Sequence, residues 1–276
     1  MKVARVLAIS FLVACGGGGS DTPPDAAIDA AVDPEGWVRL VEGDWSLAPG
    51  EEAYFCSYTT LTADIDISAF RPLAPPGTHH TVLTKFTSAS PADGTYRCNV
   101  GTNGTTMIYG SGVGAPDFEF PAGIGLRLPK GTRLLNNLHL YNATDQPMTG
   151  RSGALVKPAA PGSLQNFAEL VLAGPTIGLS VPPGVSTQQG KCNVSSITNT
   201  PVQVFALSQH MHKLGTHMKS VITRGTTEIV LQDIAYDFES QKFHHTPQLV
   251  ELMPSDTLTT FCTFNNTTGA GVSFAG

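Results

Sequence analysis

Charge is scarce in this 276-residue sequence. Only 14% of its residues are Asp, Glu, Lys or Arg, against about a quarter in an average soluble domain. The balance is acidic, with a formal net charge of −6. No basic stripe is left to neutralise a phosphate backbone, so nucleic acid is not an expected partner. Helical periodicity is missing as well: no long stretch repeats apolar residues at i, i+3 and i+4. No CxxC pair occurs, which removes the common cysteine metal and redox motifs. There is no HExxH protease motif and no GxSxG nucleophile elbow.

What fills the space is Thr, Ser, Val, Gly and Pro. Short apolar or alternating runs separated by turn residues read as strands at 37–42, 52–58, 64–70, 79–86, 123–128, 133–141 and 152–157. Further strands are expected at 168–173, 178–181, 202–208, 218–223, 228–232, 249–252 and 258–264. In 64–70 the alternation places Ile65, Ile67 and Ala69 on one face. Many short strands with frequent turns predict an all-β protein of the β-sandwich kind. Residues 159–162, small and ending in Pro-Gly, are the best candidate boundary between two halves of similar style.

The N-terminus reads as an export signal. Lys2 and Arg5 precede a short apolar core at 6–13, too short to span a bilayer as a stable helix. It runs into Leu12-Val13-Ala14-Cys15, which looks like a bacterial lipobox. The expectation is a lipoprotein signal peptide over 1–14, with lipid on Cys15 anchoring the chain to a bacterial membrane on its periplasmic or outer side. Residues 15–35 are poor in bulky apolar residues and read as a flexible tether. Outside the cytoplasm disulfides persist, so Cys56, Cys98, Cys192 and Cys262 are expected to form them, with connectivity that spacing does not reveal.

Candidate chemistry lies with histidine. There are eight, and six fall in tight groups: His79 with His80, His210 with His212, and His244 with His245. His210 and His212 follow the apolar run 202–208, and residues two apart on extended chain face the same way. That presents two imidazoles to one metal ion, although two nitrogens do not complete a site. His79 and His80 are adjacent and would point oppositely on a regular strand, so sharing a metal requires a bend, which the preceding Pro-Pro-Gly turn permits. His139, in mid-strand, would be the third ligand there. A metallo-β-lactamase-like site would need Asp where Leu214 stands, and a cupin would need a nearby Glu.

Taken together the pieces resemble the copper type II, ascorbate-dependent monooxygenases, the family of peptidylglycine α-hydroxylating and dopamine β-monooxygenases. The matching residues are Tyr54-Phe55-Cys56, Gly77-Thr78-His79-His80, Leu138-His139-Leu140-Tyr141, His210-Met211-His212-Lys213-Leu214-Gly215, Gln241, Pro254-Ser255-Asp256 and Phe261-Cys262. Order and spacing fit from about residue 45 onward. The resemblance implies two antiparallel, jelly-roll-like β-sandwich domains, at 36–160 and 161–276, each carrying one copper. It implies that His79, His80 and His139 hold an electron-transfer copper, and that His210 and His212 hold the copper at which O2 reacts. It further implies that ascorbate is the reductant and that a small organic substrate is hydroxylated at a C–H bond.

Two departures qualify the match. The family completes its second site with a methionine in a Glu-Met-Cys stretch beyond the cysteine that Cys262 matches. This sequence reads as cut short after Cys262, with no methionine in the tail, so the second site is incomplete as written. By the same correspondence Cys262 loses its partner, and Cys192 is drawn into the same doubt, which leaves Cys56 with Cys98. The alternative expectation is a non-catalytic copper-binding lipoprotein that has lost its second copper. The second departure is Ser208, which stands where the peptide-specific branch has an Arg and argues against peptide amidation.

Overall fold

The computed structural model of the chain describes residues 33, 35–99, 104–175, 179–238 and 242–273. The expected signal, lipobox cysteine and nearly all of the tether, together with Gln241, lie outside these residues. In chain order the strands are β1 (Val38–Leu47), β2 (Glu52–Thr60), β3 (Ile65–Leu73), β4 (Thr78–Phe86), β5 (Gly94–Cys98), β6 (Thr106–Gly112), β7 (Phe118–Glu119), β8 (Ile124–Leu128), β9 (Arg133–Tyr141) and β10 (Met148–Pro158). The second half continues with β11 (Asn166–Phe167), β12 (Ser180–Val181), β13 (Gly184–Asn193), β14 (Val202–Ser208), β15 (Gly215–Arg224), β16 (Thr227–Ala235), β17 (Phe243–Leu252), β18 (Thr257–Asn266) and β19 (Val272–Ser273). Among the described residues there is no α-helix, only one short 3₁₀ turn, Val194–Ser196.

The first half is a sandwich of two sheets. One runs β1-β10-β3-β8-β11 with β7 on β3, and the other runs β5-β2-β9-β4-β6. All pairings are antiparallel except the two-residue contact of β11 with β8. Alternation decides which residues meet between the sheets: Leu134, Leu138 and Leu140 of β9 are fully buried, Leu134 in one cluster with Ile67 of β3 and Val156 of β10, and Leu138 and Leu140 in another with Trp45 and Leu47 of β1. Burying a side chain of this size contributes about 1.5–3 kcal/mol. The alternation predicted for Ile65, Ile67 and Ala69 is present, since all three are buried. The opposite face of β9 carries Asn137 and His139. There Cys56 of β2 and Cys98 of β5 form a disulfide, and the Asn137 amide donates to the carbonyl of Asn99 at 3.0 Å.

The second half stacks the four-stranded sheet β13-β18-β15-β16 against the two-stranded ribbon β14-β17. Val204 and Val250 of the ribbon pack with Ile222, Val194 and Leu258. The ribbon's Phe205, Ala206 and Phe243 instead meet the core of the first half. The ribbon is thus the seam of the molecule. The strand expected at 168–173 does not form. That stretch is irregular and mostly exposed, and its run of apolar residues has no partner strand to satisfy its backbone. Strands β5, β6 and β13, which the sequence did not announce, are polar or glycine-rich and are held by neighbours already in place.

Candidate metal centre

The first histidine group is built on adjacent strands. Pairing of β4 with β9 slips between Thr78 and His80: Thr78 lies opposite Leu140, and His80 opposite His139. His79 is the extra residue of this bulge. One inserted residue re-aims side chains that would otherwise alternate. The bend that the Pro-Pro-Gly turn was expected to allow is therefore achieved by the bulge, with Gly77 just before it at a φ of 94°.

As a result three imidazoles from two strands converge. His79 Nδ1 and His80 Nδ1 are 3.2 Å apart, and His80 Nδ1 and His139 Nδ1 are 3.3 Å apart. Each can offer one nitrogen within 4.8 Å of the others, and among the described residues this is the one cluster of three side chains of the metal-binding type. The far nitrogen of His139, Nε2, lies 2.6 Å from the Glu52 carboxylate. A carboxylate on the outer nitrogen fixes the tautomer and aims the inner lone pair, as it does for metal-binding histidines generally. Tyr54 stacks on His139 with centroids 4.5 Å apart and planes within 6°. Burial, and then the neighbouring His139, His79, His210 and His212, lower the pKa of His80 to about 3. His80 is held as neutral imidazole, the form that donates to a metal. Three imidazoles each offering one nitrogen within 4.8 Å of the others form a donor set that fits copper or another imidazole-binding ion.

Glu52 and Tyr54 were not singled out as site residues in the sequence. Both lie on β2 on the face of His139, since Tyr54 is directly opposite it. Only the pairing of β2 with β9 brings them there, and that register is not written in either segment.

His210 and His212 lie just past the end of β14. Gln209 and Met211 are buried, while His210 and His212 are exposed on the other side, as the two-residue spacing predicts. Their ring centroids are 5.6 Å apart. His212 has a pKa lowered by desolvation first and by His210 second. The Phe238 ring links the two groups: it lies 5.3 Å from the His79 ring, and Lys213, the residue after His212, has its Nζ 5.9 Å from the same phenyl centroid. Met211 and Met218 lie in the buried core behind the pair, with Cys262 and Phe264. Met253 sits in the turn between β17 and β18, its amide donating to Asp256 at 2.8 Å. Cys192 and Cys262 are free thiols, and burial raises the pKa of Cys262 to about 11.

The remaining histidines have other surroundings. His217 pairs with Asp233 at 3.0 Å on the exposed side of β15 and β16. His245 stacks on Phe118 of the first half, with centroids 5.3 Å apart and planes at 14°.

Sequence comparison finds similarity to known proteins. The profile of the copper type II ascorbate-dependent monooxygenase C-terminal domain matches residues 168–276. The chain is 25% identical to putative DBH-like monooxygenase protein 2 of Homo sapiens over 184 residues, covering 62% of this chain and 37% of that protein. It is 28% identical to dopamine beta-hydroxylase of Bos taurus over 171 residues, 55% of this chain and 27% of that one. It is 26% identical to peptidyl-glycine alpha-amidating monooxygenase A of Xenopus laevis over 240 residues, 80% of this chain and 24% of that one. The chain thus spans between about a quarter and somewhat over a third of these relatives' lengths. Residues 168–276 of the chain thus match the C-terminal domain of the copper type II, ascorbate-dependent monooxygenases, and the relatives named above are monooxygenases and a hydroxylase by name.

Proposed function

We propose that this chain is a copper-dependent monooxygenase that hydroxylates a C–H bond of a small organic substrate, with O2 as oxidant and ascorbate as reductant. The observation that carries the reading is the convergence of His79, His80 and His139, with the backbone of the His210–His212 pair reaching, through Lys213, the same Phe238 ring that packs on His79. His79, His80 and His139 would hold the electron-transfer copper, with their Nδ1 atoms facing one another, and Glu52 against Nε2 of His139 favours the tautomer that leaves its Nδ1 free. His210 and His212, exposed just past β14, would hold the second copper, whose chemistry when bound is the activation of O2. Buried Met211 pins the backbone between them. When bound, copper supplies ascorbate-driven reduction of O2 coupled to hydroxylation. The protein contributes neutral imidazoles, a fixed tautomer at His139 and two ligand groups on separate halves. Ser208 in place of an arginine supports a substrate other than a peptide carboxylate.

The same reading places the chain outside the cytoplasm, anchored by lipid on Cys15. The Cys56–Cys98 disulfide supports an oxidising compartment.

Copper stoichiometry with EPR of the Cu(II) form tests the assignment. Two coppers per chain with nitrogen-rich type 2 signals are expected, one of which is lost in His139→Ala. Oxygen consumption with ascorbate should vanish in His212→Ala. A single copper and no turnover in the wild type would leave a copper-binding protein, and no copper would remove the reading altogether.

A further inference from the structure

The chain leaving β16 touches both histidine groups. Tyr236 is buried, and its amide donates to the carbonyl of Thr216 at 2.9 Å. Its hydroxyl donates to the carbonyl of Met211, the residue between His210 and His212. The Gln209 side-chain amide, one residue before the pair, donates to the carbonyl of Ile234 at 3.4 Å. This segment therefore fixes the backbone of the H-x-H stretch from beneath.

Two residues beyond Tyr236, Phe238 packs on the core that contains Met211, Met218 and Phe264. Its ring lies 5.3 Å from that of His79, at 37° between planes. Lys213, directly after His212, has its Nζ 5.9 Å from the centroid of the same phenyl ring. The three rings of the first cluster are thus supported differently. His139 is clamped within the first half by Tyr54 and Glu52. His79 belongs to the bulge and lies against a side chain of the second half.

We propose that Phe238 is a positioning residue: it orients the His79 imidazole from the second half and so ties the geometry of the three-histidine cluster to the backbone that carries His210 and His212. The physical reason is that a bulged residue lacks the regular pairing that would otherwise fix its side-chain direction, while a phenyl ring packed on a core offers a rigid wall with few rotamers of its own. Groups that orient metal ligands without binding the metal typically change affinity by about 10–100-fold. The consequence for copper rests on the proposed monooxygenase reading, but the contact itself does not.

The test has two arms. In metal-free protein, the ring resonances of His79 are followed by NMR with labelled histidine. Phe238→Leu is expected to shift them more than those of His139, and Phe238→Tyr is expected to leave them close to wild type. In a background carrying His210→Ala and His212→Ala, Cu(II) titration then reads the three-histidine cluster alone. There Phe238→Leu should weaken copper by roughly tenfold and change its EPR parameters, with Phe238→Tyr restoring both. Unmoved His79 resonances, or copper affinity within about twofold of the background with an unchanged spectrum, would overturn the proposal. If the background protein binds no copper, the copper reading fails, and the metal-free spectrum alone decides whether Phe238 positions His79.

Discussion

At the scale of single residues the three-histidine cluster is shaped by groups outside its three imidazoles. Glu52 is the clearest case. Its side chain is 60% exposed, so its Coulombic interaction with His139 is strongly screened, yet its oxygen lies 2.6 Å from Nε2 and selects the tautomer. Glu52→Gln keeps size and a carbonyl acceptor but removes the charge, and Glu52→Ala removes both. We expect copper binding at the three-histidine cluster to weaken by about tenfold in Glu52→Ala and by less in Glu52→Gln, as measured by competition titration with a chelator. Equal affinity in all three proteins would mean that burial alone fixes His139. The histidines themselves were legible in the sequence because imidazole is rare and its grouping conspicuous. Glu52 was not, because one carboxylate among 22 acidic residues carries no local signal of what it faces.

At the scale of elements the turn between β17 and β18 shows how a motif without ligands supports the fold. The Asp256 side chain is fully buried and accepts two hydrogen bonds from Arg224, Nε at 2.9 Å and Nη2 at 2.7 Å, and one from the Met253 amide at 2.8 Å. The Arg224 hydrogen bonds, assisted by the Met253 amide, hold its pKa below the usual carboxylate value. Asp256→Ala should therefore cost about 2 kcal/mol at neutral pH, below the range for a fully buried pair because Arg224 is partly exposed. The pH dependence has a definite sign. The folded pKa is lowered, so the contribution of Asp256 is present above the unfolded carboxylate pKa and is lost as pH falls through the folded value. In urea titrations the wild type and Asp256→Ala should thus converge as the pH drops below about 4. A gap that persists undiminished in acid would assign the loss to packing rather than to the ion pair. Elements with strong alternation, such as β3 and β9, were readable from their own residues. Strands such as β13 were not, because Gly184–Asn193 has few apolar residues and is a strand only because β18 pairs with its whole length.

At the scale of the whole molecule the proposed function requires the two halves that carry the histidine groups to be held in place. An aromatic seam lies between them. Phe118 is buried at 8% exposure and faces Phe243 at 4.6 Å and His245 at 5.3 Å between centroids, while Phe205 lies 5.9 Å from Phe120. Phe118→Ala removes the central ring and should cost about 3 kcal/mol. We expect the loss to appear as looser attachment of the halves: a larger radius of gyration in solution scattering, with the copper affinity of the three-histidine cluster changed far less than the spacing between the groups. An unchanged radius with ordinary destabilisation would place Phe118 in the core of the first half alone. The sequence by itself determined the all-β class, the alternation that fills the first sandwich and the identity of the histidines worth considering, because periodicity and residue chemistry are local properties of a chain. Tertiary structure alone decided that a bulge at His79 turns two opposed neighbours to one side, that Glu52 and Tyr54 sit behind His139, and that Phe238 of one half reaches His79 of the other. Each of these depends on strand register and on packing between residues far apart in the chain, which no local pattern specifies.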